Sequence, residues 1–207
     1  IDFSDSNRKV IDHNFEWDTV GDFPKNWFSE MGESISVKNE NNNNYVAIEK
    51  DTSEGKWNFT RYFPPVTGTM SFETSIMTSE LGDDKIGPVL YSSRFRSVEE
   101  GAGPVLSMRI SGGSLYATSG LASYKIADIE AGHWYRIRLD IDLDEKIYDI
   151  YIDDVLVKSN YGLNNNIAIG DITKVEYSID NGQTGTLGID DVAIYNSSRT
   201  EEALNTE

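Results

Sequence analysis

Between Gly132 and Val157 hydrophobic and polar residues alternate with a period of two. Tyr135, Ile137, Leu139, Ile141 and Leu143 occupy one phase, and Trp134, Arg136, Arg138, Asp140 and Asp142 the other. That alternation predicts a strand with one face on a core and the other in water. Asp144, Glu145 and Lys146 supply a tight polar turn. Tyr148, Ile150 and Ile152 then alternate with Asp149, Tyr151 and Asp153 on a return strand. A second tight turn at Asp153–Asp154 leads into Val155–Val157.

The same pattern recurs in shorter pieces. Val46 and Ile48 mark a strand flanked by Tyr45 and Lys50, after a run Asn39–Asn44 that is too polar to bury and reads as a loop. Trp57–Phe63 reads as a strand ended by Pro64–Pro65, and Val66, Thr67 and Gly68 turn the chain into Thr69–Thr78. Ile86–Phe95, Val105–Ile110, Leu115–Thr118, Lys174–Ile179 and Thr186–Tyr195 continue the series, separated by polar or glycine-rich turns. Roughly 12 to 14 short strands at this spacing predict one all-β antiparallel sandwich over 1–207. Residues 1–10 read as a lead-in, and 197–207 as a short helix or a linker.

Composition narrows the partners. The chain has 35 acidic and 18 basic residues, a formal net charge of −17. It should repel nucleic acid phosphates and anionic membranes, and it suits a neutral partner or a bound cation. Cysteine is absent, so disulfides and thiolate chemistry are excluded. No apolar run is long enough to span a bilayer. The chain starts at Ile1 without Met, which fits a processed protein or a module of a longer one.

Three segments together resemble a known fold family. Asn14–Trp27 (NFEWDTVGDFPKNW) is similar to the opening of extracellular carbohydrate-binding β-sandwiches. The hairpin with HWYRIRLDID resembles concanavalin A-like and laminin-G-like jelly rolls, and Gly188–Tyr195 (GIDDVAIY) resembles their last strand. The resemblance implies a jelly-roll carbohydrate-binding module of the kind appended to secreted or cell-surface polysaccharide-active proteins, monomeric within a larger protein. Fold does not fix function.

The closing strand carries a clue of its own. Leu187 and Ile189 are in one phase, Val192 and Ile194 in the other. A bulge at Asp190–Asp191 would keep all four inward and turn one carboxylate toward the sheet edge. A carboxylate near a core edge needs neutralising, and calcium does so with oxygen ligands. In the resembled modules the FE and DD segments meet at a structural calcium. That implies Glu16 and Asp191 as ligands, with Asn14 and Asp190 as weaker candidates. A solvated strand end is the alternative for Asp190–Asp191.

A sugar is gripped by aromatic faces and polar side chains, and an acidic sugar by Arg or Lys as well. Tyr91, Arg94 and Arg96 form the most suggestive stretch, and Arg109 and Tyr116 flank the SGGS turn nearby. Such a cluster in an acidic chain fits an acidic polysaccharide, although outer-face arginines also pair with cross-strand carboxylates. Trp57, beside a loop, is the tryptophan best placed for sugar stacking, with core packing as its alternative. Only His13 and His133 exist, with no G-x-S-x-G elbow and no E-x-D-x-E strand. The reading is therefore a non-catalytic carbohydrate-binding module. The rivals are a jelly-roll lyase or hydrolase, with Tyr91, Arg94 and Arg96 stretched into a lyase role, and a protein-binding adhesion module.

Overall fold

The computed structural model describes residues 9–30, 34–93 and 103–206. They form two antiparallel sheets packed face to face. In chain order the strands are β1 (Lys9–His13), β2 (Ile35–Glu40), β3 (Asn43–Lys50), β4 (Trp57–Val66), β5 (Thr69–Thr78), β6 (Lys85–Tyr91) and β7 (Leu106–Ser111). They continue as β8 (Ser114–Ser119), β9 (Ala122–Asp128), β10 (Tyr135–Asp142), β11 (Ile147–Ile152), β12 (Val155–Gly162), β13 (Ile172–Ile179) and β14 (Gly185–Asn196). One turn of helix, α1 (Glu201–Leu204), follows. The first sheet has eight strands in the order β12-β11-β10-β5-β14-β3-β2, with β1 also paired to β14. The second has six, in the order β4-β13-β6-β7-β8-β9.

The β10–β11 hairpin has the predicted register, with Leu139 opposite Ile150 and Ile141 opposite Tyr148. Ile137, Leu139, Ile141, Tyr148 and Ile150 are all buried against the second sheet. Asp153 and Asp154 both take positive φ in the turn to β12, the geometry a two-residue hairpin needs. Tyr177 of β13 crosses the core from the six-stranded sheet. Its hydroxyl donates to Thr74 Oγ1 of β5 in the eight-stranded sheet at 2.7 Å.

Three expectations are corrected. Pro64–Pro65 do not end β4, which runs on to Val66. This strand lies at the edge of its sheet, where a missing N–H is tolerated. The run Asn39–Asn44 is not a plain loop. Asn41 and Asn42 turn β2 into β3 with φ of 53° and 62°. Asn44 is buried, its amide near hydrogen-bond range of the Phe15 and Asp18 carbonyls (3.4 and 3.5 Å) and accepting from Asn39 at 2.7 Å. Finally, part of the polar phase of β10 and β11 does not meet water: Asp140, Asp149 and Tyr151 are buried, while Arg136 stays exposed. The tail covers them. Arg199 reaches Asp149, Tyr151 and Thr200 join hydroxyls, and Ala203 is fully buried.

The N-terminal segment is pinned through His13. Its Nδ1 accepts from the Trp27 indole and from Arg61, both at 3.0 Å, and its Nε2–H donates to Asp18 at 2.6 Å. Trp27 lies parallel to Phe59 with ring centroids 4.1 Å apart. Trp27 is therefore core packing.

Candidate functional site

The tail occupies part of the outer face of the eight-stranded sheet, and the outer face of the six-stranded sheet carries most of the described ligand residues expected from sequence. The strand period fixes what points there. Val175, Tyr177 and Ile179 of β13 are fully buried, so Lys174, Glu176 and Ser178 project outward. Their cross-strand partners are Tyr62, Thr60 and Asn58 on β4, and Lys174 faces Tyr91 on β6. On the far side, Arg109 of β7 pairs with Tyr116 of β8, which pairs with Lys125 of β9.

This face interleaves cations with aromatic rings. The Lys174 ammonium lies 4.0 Å from the Tyr91 ring centroid and 5.7 Å from that of Tyr62, and the Arg109 guanidinium lies 4.9 Å from that of Tyr116. Tyr62 is 65% exposed, an open aromatic platform. Carboxylates frame the cations: Lys56 bridges to Glu176 at 3.2 Å, and Arg109 to Asp84 at 3.3 Å. Burial, assisted by Lys56, lowers the Lys174 ammonium from its ordinary range, against the pull of Glu176. Burial and the Glu176 and Asp180 carboxylates push the Tyr91 phenol well up.

Of the ligand residues expected from sequence, Tyr91, Arg109 and Tyr116 lie on this one face. Arg94 and Arg96 lie outside the described residues. Trp57 does not stack on a ligand: it is only 4% exposed and belongs to the core. Its phase with Phe59 sends it inward, with the Lys50 ammonium 5.8 Å from its ring. Tyr62 and Lys174 escaped the sequence reading. Their signal was present, since Tyr62 is out of phase with Trp57 and Phe59, and Lys174 with Val175 and Tyr177.

The bulge in β14 is present. The register slips between Asp190 opposite Ser75 and Ala193 opposite Glu73, and Asp191 takes φ of 49°. Leu187, Ile189, Val192 and Ile194 all point into the core as a result. Asp190, only 4% exposed, is the carboxylate that the bulge buries. It accepts from Asn43 at 2.9 Å and from the Asp191 amide at 2.7 Å. Burial above all raises its pKa to about 6, with Asp191 and Glu16 adding like-charge repulsion against the Asn43 hydrogen bond. Asp191 is exposed and feels Arg136 and Ser75. Glu16 accepts from the Asn44 amide at 2.9 Å, and Asn14 Oδ1 from the Glu16 amide at 3.3 Å. Among the described residues no three His, Asp or Glu side chains are close enough together to hold a metal ion alone. A cation here would draw further oxygens from amides and backbone carbonyls.

No family model and no curated relative matches the chain. Solved structures do. A structure described as a sialidase aligns with a TM-score of 0.67 at 13% identity over 96% of this chain; the chain spans 19% of that protein's length. The Emp47p carbohydrate recognition domain aligns with a TM-score of 0.58 at 13% identity, over 95% of this chain and 100% of that one. The catalytic domain of the glycoside hydrolase family 131 protein from Coprinopsis cinerea aligns with a TM-score of 0.65 at 13% identity, over 93% and 96%. No helix among the described residues is long and apolar enough to cross a membrane. The topology and these likenesses together establish the fold as an all-β antiparallel jelly-roll sandwich, one shared by a carbohydrate recognition domain and a glycoside hydrolase catalytic domain.

Proposed function

We propose that this chain is a non-catalytic carbohydrate-binding module acting outside the cell, which holds an acidic polysaccharide on the outer face of its six-stranded sheet. The observation that carries this is the Tyr62–Lys174–Tyr91 row. The exposed Tyr62 ring offers an apolar face to sugar C–H surfaces, and Lys174, seated over the Tyr91 ring, offers a charge to a uronate. Arg109 on Tyr116 repeats the motif further along. In a chain of net charge −17, cations and aromatics gathered on one face favour a specific anionic partner.

A structural calcium ion fits the same reading. Asp190 and Glu16 would supply carboxylates, with Asn14 and backbone oxygens completing the shell; Asp191, turned toward Arg136, is the lesser ligand. The supporting observation is a buried carboxylate whose nearest charged neighbours are carboxylates. The ion would neutralise that charge and tie the N-terminal segment to β14.

Affinity electrophoresis in gels containing polygalacturonate or alginate tests the ligand face. Tyr62→Ala and Lys174→Gln should each reduce retardation with no change in melting temperature. Full retardation in both variants removes the ligand from this face. Release of unsaturated uronate or reducing ends by the wild-type chain would favour the enzyme reading instead.

A further inference from the structure

A second aromatic cleft lies on the opposite side of the sandwich, on the part of the eight-stranded sheet that the tail leaves open. It is lined by Glu40, Asn41, Asn43, Tyr45, Gly132 and Trp134 and encloses about 320 Å³. Trp134 lies across β14 at Gly188. A Cβ on Gly188 would stand 3.0 Å from the indole and 3.2 Å from Met77 Cε, closer than ordinary contact, so the missing side chain helps the ring settle low on the sheet. Tyr45, on the outward phase of β3, meets Trp134 edge to face with centroids 5.1 Å apart. Glu40 lines the cleft with Tyr45, and burial together with that carboxylate pushes the Tyr45 phenol up against the opposing pull of Lys38.

The polar half of the cleft is built by the β2–β3 turn. Asn41 and Asn42 hold left-handed backbone, so the turn is tight, and the side chains of Glu40, Asn41 and Asn43 come to one rim. Asn43 is fixed by its hydrogen bond to buried Asp190. None of the lining side chains is cationic.

We propose that this cleft is a separate carbohydrate subsite that takes one neutral pyranose unit. Two rings set edge to face offer an apolar wall for the C–H side of a sugar. Asparagine amides both donate and accept, and Glu40 accepts, which matches hydroxyl groups that do both. The one cation close by, Lys38 opposite Tyr45 on β2, is paired with Glu49 at 2.8 Å, and Glu40 stands on the rim, so the cleft favours a neutral sugar over a uronate. A proline-rich peptide also suits aromatic clefts, but it offers only carbonyl acceptors and would leave Glu40 facing them. The subsite is independent of the six-stranded face, since the two lie on opposite sides of the molecule.

The test uses intrinsic fluorescence of the full chain in a Trp17→Phe background, because Trp17 is 95% exposed and would mask the signal while Trp27 and Trp57 are buried. Cellohexaose, mannohexaose, xylohexaose and galactohexaose are titrated in turn, with decaproline as the peptide probe. At least one hexaose should shift the emission. Tyr45→Ala should weaken that binding about tenfold, the effect of losing an aromatic wall. Asn41→Gly, which keeps the left-handed turn and removes the amide, should weaken it several-fold with an unchanged melt. Tyr62→Ala should leave it intact. The proposal is overturned by no response to any hexaose, by a response that survives both Tyr45→Ala and Asn41→Gly, or by a response to decaproline alone. Polygalacturonate retardation in the Tyr45→Ala variant reports separately on the six-stranded face, so either site can fail without the other.

Discussion

Arg199 grips Asp149 with two prongs, Nε 2.8 Å from Oδ2 and Nη2 3.0 Å from Oδ1, in a pair whose side chains are 6% and 0% exposed. Asn160 completes the cage: its backbone amide donates to Asp149, and its side chain accepts from Arg199. The tail is thus fastened by a buried ion pair. Removing one partner strands the other charge in the interior. Arg199→Ala should therefore lose about 3–5 kcal/mol of unfolding free energy in urea titrations. The Arg199→Met/Asp149→Leu double variant should recover most of the loss. A small effect of Arg199→Ala alone would mean that the tail lifts away at little cost.

Calcium should act through Asp190. If the ion sits there, chelator lowers the melting temperature at neutral pH, added calcium restores it, and Asp190→Ala abolishes the response. Asp191→Ala should leave most of the response in place. Thermal melts with and without chelator decide it, and an identical melt under both conditions in the wild-type chain removes the ion from the account.

Glu80 gives the fold an acid sensitivity of known sign. Burial opposes its ionisation, but hydrogen bonds from Lys85, Ser79 and the Thr186 amide outweigh this and hold its carboxyl below the ordinary range. A depressed carboxylate stabilises the fold above its unfolded pKa of about 4.3 and loses that contribution as pH falls through the folded value. The Lys85 side chain is fully buried 2.7 Å from Glu80, so the protonated acid would leave that ammonium without its carboxylate. Melting temperature should fall below about pH 4. Glu80→Gln should melt lower at pH 7 and show a shallower acid limb. An unchanged limb would place the acid sensitivity elsewhere.

Trp57 and Tyr62 share a strand but should fail in different ways. Trp57→Ala opens a hole in the core and should cost about 3–5 kcal/mol, with glycan retention lost only as far as the fold is lost. Tyr62→Ala should cost stability within about 0.5 kcal/mol, as an exposed surface change does, and lower retention. Paired melts and affinity gels separate the two. Equal melts for both would mean that Trp57 does not carry the core here.

The hairpin of β10 and β11 was legible because each residue's face follows from its own parity. The β14 bulge was legible for the same reason, since a phase slip between Ile189 and Val192 has few other solutions. What depended on distant chain was not legible. Nothing near Asp149 announces Arg199, fifty positions later, so a buried acid reads as a wet one. Lys9–His13 looks too polar for a strand and acquires that role only from pairing with β14. Pro64–Pro65 look like a stop unless β4 is known to be an edge. At the candidate site, Tyr91, Arg109 and Tyr116 were found by residue type. Tyr62 and Lys174 were missed because type was weighed there before phase, and Trp57 was misplaced for the same reason.

The hydrogen bond from Tyr177 to Thr74 ties the two layers, and both side chains are fully buried. Lateral slip of one sheet over the other would break that bond and leave a buried hydroxyl unpaired. The spacing of rings on the exterior is therefore set before any ligand arrives. A glycan bound at the proposed face would meet a finished template, with the ordering entropy of association falling mainly on the sugar chain.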